Sequence, residues 1–508
     1  MSRYPQLTEE YGVHISPEGG WVKGTRSTEI DFSRVSEIIS RGRLALTPLH
    51  PINVSAREFL RRCNGARSYE GIIDELGRQF NVDRETVLRS LSGFVEEAVK
   101  RNHLALLDQP GERPICVTGS DQYFAPLHAQ LELTDRCNLA CSYCYRSAHV
   151  DSADSAEQGT TISYEDVRTI VDTLKAHGVL IMELTGGEPL MNARFADILD
   201  YCTSNMNLVC IETNGTAITE KMADRIARSR KVMLSVSLDG ATPEMVDEMA
   251  SRKGTYEQVT AGIRRLAKRE VVVRVAMTVL KRNLKEAEAT LLLAKELGAS
   301  SFSLGPPVPM GRAALNKHEL IPDEEMHQFH VLMMDLFKRH TSFIATTAPA
   351  TTEYHEKVAG NCGAGYRSVA IAPNGDVRYC VTSSGPWSVM GNILTDSYDD
   401  LFGGPKARFF KRLRWPEKET CGECERFGCC AKCAVRGIDA AIARNWDCAW
   451  AKSQGVRQWV PDDGRDGSNA PAPHECRCPR EKAGVHGQEG AKSVLVGAGA
   501  AGTVKLSE

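Results

Sequence analysis

Long apolar runs are absent from this 508-residue sequence, so we expect no segment that spans a membrane. Residues 1–20 are polar and lack the apolar core of a signal peptide, which predicts a cytoplasmic location. The chain also lacks a strong net charge, because 62 Lys and Arg stand against 65 Asp and Glu. That balance argues against a general nucleic-acid or membrane-surface binder. With 42% hydrophobic residues, the chain is predicted to be globular, and its length favours two to four domains.

Cysteine, in contrast, is abundant. The 17 cysteines are poorly explained by disulfides in a chain without an export signal, because reducing compartments do not keep disulfides. Three of them lie within 137–144 and six within 421–448. Clustered thiolates in a reducing compartment are typical metal ligands, so both regions are predicted metal sites. Cys202 and Cys210 lie among apolar residues and are predicted to belong to the core.

The centre of the chain predicts repeated β–α units. Six candidate strands alternate with amphipathic helices: Gln130–Thr134, Val179–Leu184, Leu208–Glu212, Val232–Leu238, Val271–Thr278 and Ser300–Leu304. Ser163 and Gly178 are predicted to begin and end the first of these helices. Units of this length favour a parallel sheet that closes into a partial (βα)6 TIM-like barrel, with its site at the carboxyl ends of the strands.

The segments around the barrel differ from it. Residues 1–40 show no clear pattern and are interpreted as an N-terminal arm. Between 41 and 110 the sequence predicts a winged helix-turn-helix unit, with small strands at Arg43–Leu46 and His103–Leu107 around three helices. Those helices are predicted at Val54–Cys63, at Ser68–Phe80 and after the N-cap Asp83. A helical connector at Asp323–His340 follows the barrel, and residues 460–508 are predicted to be a flexible tail.

Cys137, Cys141 and Cys144 directly follow the first barrel strand, with the spacing C-x3-C-x2-C. Three thiolates on one loop can hold three corners of a 4Fe–4S cluster and leave the fourth iron open to an external ligand. A zinc site that lacks one ligand, or a cluster completed by a distant cysteine, is the alternative. With Tyr143 before the third cysteine, the motif resembles the radical S-adenosylmethionine (SAM) superfamily. The resemblance implies that these cysteines are catalytic: their cluster cleaves SAM, and a 5′-deoxyadenosyl radical removes hydrogen from the substrate.

Further motifs at successive strand ends resemble the SAM contacts of that family. The resemblance implies that Gly186-Gly187-Glu188-Pro189 contacts the methionine amino group of SAM and that Ser237 contacts its ribose. It also implies that Arg252 forms an ion pair with the methionine carboxylate of SAM. Each motif alone could be a turn, but their order along four strands favours a SAM site. The full predicted set is Tyr143, Gly186, Gly187, Glu188, Pro189, Asn214, Ser237, Asp239 and Arg252.

The second cysteine region resembles the SPASM domain, which binds two auxiliary 4Fe–4S clusters in peptide- and protein-modifying relatives. The first auxiliary cluster is implied to use Cys362, Cys380 and Cys433. The second is implied to use Cys421, Cys424 and Cys448, together with Cys429 or Cys430. We favour Cys430, which leaves Cys429 free or available to the first cluster. A pair of structural zinc sites is the alternative, since C-x2-C pairs suit zinc equally well.

The unit at 41–110 resembles the PqqD-like domain, or RiPP recognition element, in sequence segments such as Asn64–Ser68 and Phe80–Asp83. Such domains bind the leader of a ribosomally made precursor peptide by adding it to a sheet as a strand. A DNA-binding winged helix is the alternative. Eleven Lys and Arg against nine Asp and Glu between Arg41 and Asp108 are too balanced for a strong phosphate-binding face.

Together these resemblances predict an α/β radical SAM enzyme that modifies a precursor peptide, by C–S or C–C crosslinking in the commonest case. They imply a flavodoxin- or ferredoxin-type reductant, no nucleic acid and no membrane. A maturase of a folded enzyme or of a quinone- or tetrapyrrole-type cofactor is one alternative, and an iron–sulfur electron carrier is another. The predicted divisions are an arm (1–40), a PqqD-like domain (41–110), a radical SAM core (125–345), a SPASM domain (355–455) and a tail (460–508).

Overall fold

The first part of the chain is a small sheet covered by helices. The structure, a computed structural model, describes residues 3–25, 49–146, 148–150, 159–344, 360–383, 385–422, 424, 427–430 and 433–460. The strands of this part are β1 (Tyr4–Leu7), β2 (Tyr11–Ser16), β3 (Gly19–Gly24), β4 (Leu49–Ile52), β5 (Leu104–Leu107) and β6 (Val117–Gly119). Strands β4, β3, β2 and β6 pair in that order, and β1 pairs with β5.

Residues 3–25 therefore form strands within the stretch that the sequence predicted to be an arm. The strands are short, and each depends on a partner far along the chain: β1 pairs with β5, and β2 pairs with β6. Local sequence patterns do not contain such long-range pairings. The predicted strand Arg43–Leu46 lies outside the described residues.

Three helices follow β4, as the sequence predicted: α1 (Val54–Leu60), α2 (Tyr69–Phe80) and α3 (Arg84–Lys100). Ser68 caps α2, and Asp83 caps α3, each through its side-chain oxygen. The helices bury an apolar face that includes Phe59, Ile72 and Leu91 against the strands. Strands and helices thus share one hydrophobic core, and the winged helix-turn-helix expectation is confirmed.

Six parallel strands form the centre of the next part of the chain, where the β–α repeat was predicted. They are β7 (His128–Glu132), β10 (Ile181–Thr185), β11 (Leu208–Thr213), β12 (Val232–Ser237), β13 (Val272–Thr278) and β14 (Ser301–Gly305). Between β7 and β10, the short strands β8 (Arg136–Cys137) and β9 (His149–Val150) pair with each other. The six strands lie side by side in chain order, which confirms a partial barrel.

Helices cover the outer face of this sheet. They are α4 (Tyr164–Ala176), α5 (Phe195–Asn205), α6 (Glu220–Ile226), α7 (Pro243–Ala250), α8 (Thr255–Ala267), α9 (Ala287–Glu296) and α11 (Asp323–Arg339), whereas the short helix α10 (Arg312–Leu315) contacts the loop after β7. Alternate strand residues such as Leu131, Leu184 and Val275 belong to the core beneath these helices. The opposite face carries polar side chains, among them Glu183 and Arg274, because successive strand residues point to opposite sides.

The cysteine-rich region continues the barrel sheet. Its strands are β15 (Ser368–Ile371), β16 (Asp376–Arg378) and β17 (Val389–Asn392). Strand β15 pairs with β7 in parallel, opposite Ala129 and Gln130, so the sheet has nine strands in the order β14-β13-β12-β11-β10-β7-β15-β16-β17. Its helices are α12 (Tyr398–Gly403), α13 (Pro405–Arg412), α14 (Lys418–Cys421), α15 (Phe427–Cys430), α16 (Ala434–Ile442) and α17 (Ala449–Ser453).

Short 3-10 turns occur at Pro189–Met191, Leu284–Glu286, Lys317–Glu319, Pro386–Ser388 and Val456–Trp459. In the part of the chain that the structure describes, no helix is both long and apolar enough to cross a membrane. The predicted tail lies outside the described residues from position 461 onward.

The N-terminal sheet lies against the amino-terminal end of the barrel. Trp21 of β3 packs on an apolar cluster that includes Ile181, Leu208 and Val272, which are the first residues of three barrel strands. His14 of β2 contacts the carbonyl oxygen of Ala125 at 3.3 Å. The N-terminal sheet therefore does not cover the opposite, carboxyl-terminal end of the barrel, where the site is predicted.

Candidate functional site

The three cysteines of the predicted cluster lie together on the loop after β7. They pack against Leu139 and Ala250 in one small cluster. Burial raises the pKa of Cys137 to about 11 and that of Cys141 to about 12, and nearby carboxylates and thiols contribute to both rises. Thiols in such surroundings ionise only beside a compensating cation, which iron supplies when a cluster binds. The donor set therefore fits an iron–sulfur cluster.

The segment Gly186–Pro189 packs directly on the cysteine loop. Gly187 N donates to Thr134 O at 2.7 Å, and Glu188 N donates to Arg136 O at 2.8 Å. A Cβ atom on Gly187 would lie 2.1 Å from Arg136 O, so this close approach requires glycine. The glycine thus lets the backbone approach the loop that carries the cysteines.

Glu188 braces this segment to the next strand end. Its side chain is fully buried, and it accepts hydrogen bonds from Thr213 Oγ1 at 2.7 Å, Asn214 N at 2.8 Å and Leu190 N at 3.2 Å. Burial raises the pKa of Glu188 to about 7. The predicted contact of Glu188 with the methionine amino group stays a prediction, because the carboxylate is here occupied by donors of the protein.

Asn214 links the end of β11 to the cysteine loop. Its Nδ2 donates to Asn138 Oδ1 at 2.8 Å and lies 3.9 Å from Cys137 Sγ. Its Oδ1 accepts from Thr216 Oγ1 at 2.6 Å. A side-chain amide so placed holds the loop against the strand end and offers a weak donor to the first cysteine.

Tyr143 and Asp239 join the same loop to the end of β12. The Tyr143 hydroxyl donates to Asp239 Oδ2, and Asp239 Oδ1 accepts from Thr278 N at 2.7 Å. Burial raises the pKa of Asp239 to about 6. Asp239 thereby positions the tyrosine between two cysteines of the motif.

The other predicted SAM contacts are placed around the same strand ends. Ser237 is the last residue of β12 and is half-buried. Pro189 begins a 3-10 turn, and Arg252 Nη2 donates to Gln258 Oε1 at 2.8 Å after α7. The structure thus brings Tyr143 and Asp239 into direct contact. It gives the Arg252 guanidinium a partner on α8.

Arg312 is a site residue that the sequence analysis missed. Its Nε donates to Cys141 O at 2.8 Å, its backbone N donates to Cys144 O at 2.8 Å, and its Nη1 donates to Ala148 O at 2.9 Å. The preceding Gly311 has a φ of +55°, and a Cβ atom there would lie 2.4 Å from Tyr145 O. The sequence signal that could have identified Arg312 is the glycine–arginine pair that follows the last barrel strand.

Seven cysteines of the C-terminal part divide into two groups by the thiols that interact with one another. Burial of the thiol raises the pKa of Cys362 to about 11, and the charges of Cys380 and Cys433 add to the effect. These three belong to one group. In the second group, burial raises the pKa of Cys430 to about 12, with added contributions from Cys448, Cys424 and Cys421. The side chain of Cys429 lies outside the description.

Comparison with known proteins places these three parts in known families. Residues 131–294 match the model of the radical SAM superfamily, residues 362–425 match an iron–sulfur cluster-binding domain, and residues 49–104 match coenzyme PQQ synthesis protein D. The antilisterial bacteriocin subtilosin biosynthesis protein AlbA of Bacillus subtilis is 30% identical over 466 residues. That match covers 90% of this chain and 98% of AlbA. The chain belongs to the radical SAM superfamily.

Other proteins match a smaller part of this radical SAM enzyme or have a lower sequence identity to it. An AdoMet-dependent heme synthase of Methanosarcina barkeri is 31% identical over 335 residues, covering 62% of this chain and 93% of the synthase. The crystal structure of Streptococcus suis SuiB bound to precursor peptide SuiA is 14% identical, with a TM-score of 0.56. It covers 85% of this chain and 96% of that chain, and the likeness shows a common fold. Family membership implies a 4Fe–4S cluster and SAM as cofactors.

Proposed function

We propose that this enzyme modifies a ribosomally made precursor peptide and forms a C–S or C–C crosslink in it. The observation that carries the proposal is the match to AlbA, a biosynthesis protein of a bacteriocin, along 98% of its length. That match includes the PqqD-like part, which a radical enzyme acting on a small molecule does not need. The fold shared with SuiB, whose structure holds a precursor peptide, supports the same conclusion.

Cys137, Cys141 and Cys144 are proposed to hold the SAM-binding cluster, and their shared burial supports this assignment. Bound there, the cluster and SAM supply a carbon radical that removes hydrogen from an unactivated C–H bond. The protein's own residues hold the loop in place: Asn214 and Asp239 brace it from two strand ends. The polar contacts predicted at Ser237 and Arg252 are proposed to orient SAM above the same edge.

Two auxiliary 4Fe–4S clusters are proposed in the C-terminal part. The grouping of thiols supports Cys362, Cys380 and Cys433 as ligands of the first cluster. It also supports Cys430 as the partner of Cys421, Cys424 and Cys448 in the second. Such clusters can accept the electron that is released when a crosslink closes. We further propose a cytoplasmic location and a flavodoxin- or ferredoxin-type reductant, because clusters of this kind require reducing conditions.

The leader is proposed to bind beside β4, which is an outer strand of the N-terminal sheet among the described residues. Trp21 sets this sheet against the amino-terminal end of the barrel, whereas the cysteine loop lies at the carboxyl-terminal end. The two ends are separated by strands such as β13, which has seven residues. At about 3.3 Å per residue, the peptide must therefore extend roughly 23 Å beyond its leader to reach the cluster.

The test is an anaerobic reaction of the reconstituted enzyme with SAM, a reductant and the peptide encoded by a short open reading frame beside the gene. We expect 5′-deoxyadenosine and a peptide that has lost two hydrogen atoms per crosslink. The Cys137→Ala variant should form neither product, and Cys202→Ala, a buried cysteine far from the loop, should form both. SAM cleavage without any change in the peptide's mass would contradict the proposal.

The match to the heme synthase favours a second candidate, the maturation of a tetrapyrrole-type cofactor. It covers only 62% of this chain. Conversion of a porphyrin substrate under the same conditions, without modification of the peptide, would establish this alternative. An iron–sulfur electron carrier would instead produce no 5′-deoxyadenosine at all.

A further inference from the structure

Glu132 is a buried carboxylate at the carboxyl end of β7. Its side chain is 1% exposed. Oε1 accepts hydrogen bonds from Arg146 Nη1 and from Arg378 Nη2, and Oε2 accepts from Arg146 Nη2. Both guanidiniums are themselves largely buried, with 13% of each side chain exposed. One carboxylate therefore binds two arginines in a site that is almost closed to solvent.

The two arginines come from the two cysteine-bearing loops. Arg146 follows Cys144 by two residues, on the radical SAM side. Arg378 ends β16 and precedes Cys380 by two residues, on the auxiliary side. Glu132 is thus the point at which the loop of the SAM cluster meets the loop of the first auxiliary group. The pairing of β15 with β7 brings the second loop to this position.

Arg378 also reaches toward the auxiliary loop. Its Nη1 donates to Ser383 O at 3.1 Å, and Cys380 N donates to Ser383 Oγ at 3.3 Å. Burial raises the pKa of the Cys380 thiol, and the positive charge of Arg378 offsets part of that rise. The guanidinium therefore contacts the loop of Cys380 as well as Glu132.

The charges of this trio do not cancel. Two guanidiniums face one carboxylate, so these three side chains together carry one excess positive charge in a site largely closed to solvent. Among the described residues, Arg378 Nε is buried without a hydrogen-bond partner. A cation in such a place interacts strongly with nearby anions, because little water screens it. Besides Glu132, one such group is the Cys380 thiol, which lies two residues further along the chain.

We propose that Glu132 is a positioning residue that fixes the loop of Cys144 against the loop of Cys380 and restrains the charge that Arg378 presents to the first auxiliary cluster. The inference rests on the proposed function in one respect, the assignment of Cys380 to that cluster. It adds a role for three residues that are not ligands. Through these residues, the barrel sets the spacing of the two loops and the redox potential of the first auxiliary cluster.

The two sides of the interaction predict opposite effects. A cluster becomes more negative when it is reduced, so a nearby cation favours the reduced state. Replacing Arg378 with Gln should lower the midpoint potential of the first auxiliary cluster, and Arg378→Lys should largely restore it. Replacing Glu132 with Gln removes the compensating negative charge, so the same potential should rise. A purely structural defect would not give shifts of opposite sign.

The experiment is a redox titration of the reconstituted full-length enzyme, followed by electron paramagnetic resonance. The signal of the first auxiliary cluster is identified as the one that disappears in Cys380→Ala. If Cys380→Ala loses no signal, the ligand assignment itself is wrong, and the inference falls with it. If the signal is identified but Arg378→Gln and Glu132→Gln shift it in the same direction, or not at all, the inference is overturned and the ligand assignment stands.

Matched controls come from an outer pair of the same chemistry. Arg225 on α6 donates to Asp200 on α5 through Nε at 3.0 Å, away from both loops. The variants Arg225→Gln and Asp200→Asn should leave the potential unchanged. If Glu132→Gln does not retain wild-type iron, Glu132→Asp replaces it. That variant keeps the charge but shortens the reach, so it should weaken the magnetic interaction between the SAM cluster and the first auxiliary cluster. An unchanged interaction would overturn the positioning role.

Discussion

Arg312 Nε donates to the carbonyl oxygen of Cys141 at 2.8 Å from a helix 171 residues further along the chain. The same residue binds the carbonyl oxygens of Cys144 and Ala148. Three carbonyls of the cysteine loop therefore depend on one side chain and its backbone. The spacing of the motif decides which thiols are near one another, but Arg312 holds the loop in the shape in which they converge.

Replacing Arg312 with Lys should impair the cysteine loop. Lysine cannot reproduce the planar fork that reaches two carbonyls at once, so at least one charge-assisted hydrogen bond is lost. We expect the rate of 5′-deoxyadenosine formation to fall by about tenfold, since such a bond contributes about 1.5–3 kcal/mol. Iron content should fall in parallel. The control is Arg269→Lys on the outer surface, and equal losses in both variants would refute the role of Arg312.

Replacing any one of Cys137, Cys141 and Cys144 with Ala should abolish 5′-deoxyadenosine formation. With two thiolates left on the loop, the cluster loses a corner and no longer presents one open iron. The assay is chromatography of the anaerobic reaction. Cys202→Ala and Cys210→Ala are the matched controls, because both residues are buried in the barrel core, as the sequence predicted. Retained turnover in the loop variants would contradict the site.

Cys430 and Cys429 should differ in iron content. Cys430 is buried among the thiols of the second group, so Cys430→Ala should lose most of the iron of one cluster. Cys429→Ala should lose little. Quantification of iron and sulfide in the reconstituted variants separates the two. The reverse order would show that Cys429 is the ligand.

A peptide with too short a spacer between its leader and its reacting residues should not be modified. Leader binding at the amino-terminal end of the barrel leaves roughly 23 Å to cover, or about seven extended residues. Spacers of fewer than about seven residues should therefore abolish crosslinking while leader affinity, measured by fluorescence anisotropy, stays unchanged. A scrambled spacer of the original length should remain active. Full modification through a two-residue spacer would exclude the proposed path.

The N-terminal unit should lose stability as the pH falls below 6.5. Burial, followed by the charge of Lys23, lowers the pKa of His14 to about 3. Burial, followed by the charges of His50 and Arg101, lowers the pKa of His103 to about 4. The unfolded chain binds both protons near pH 6.5, whereas the folded chain excludes them until pH 3–4. The contribution of the two histidines to the free energy of unfolding is therefore fully present above pH 6.5. It decreases as the pH falls from 6.5 to about 3.

The measurement is urea unfolding, followed by tryptophan fluorescence, at several pH values. Trp21 is a suitable reporter because its ring centroid lies 5.9 Å from that of His14. The variant His14→Gln should show a weaker dependence on pH than the wild type. His318→Gln, at a side chain that is 78% exposed, should show the wild-type dependence. Identical slopes for the His14 variant and the wild type would contradict the prediction.

Much of the fold was predictable from local sequence. The six barrel strands, the caps Asp83 and Ser163, and the helices between them follow from periodicity and capping, which act over a few residues. The strands within residues 3–25 were not predicted. They are short, and their stability comes from pairing with strands far along the chain, which no local pattern records.

The sequence by itself determined which cysteines could act together, since the C-x3-C-x2-C motif confines three thiols to one loop. The tertiary structure alone decided what surrounds them. Glu188 and Asp239 are predicted to contact SAM, and folding also gives each carboxylate a hydrogen-bond donor of the protein. Likewise, Arg312 reaches the loop and Arg378 reaches Glu132 only because the fold brings distant segments together. Buried polar groups take whatever partner the fold delivers, and that partner depends on contacts across the whole chain.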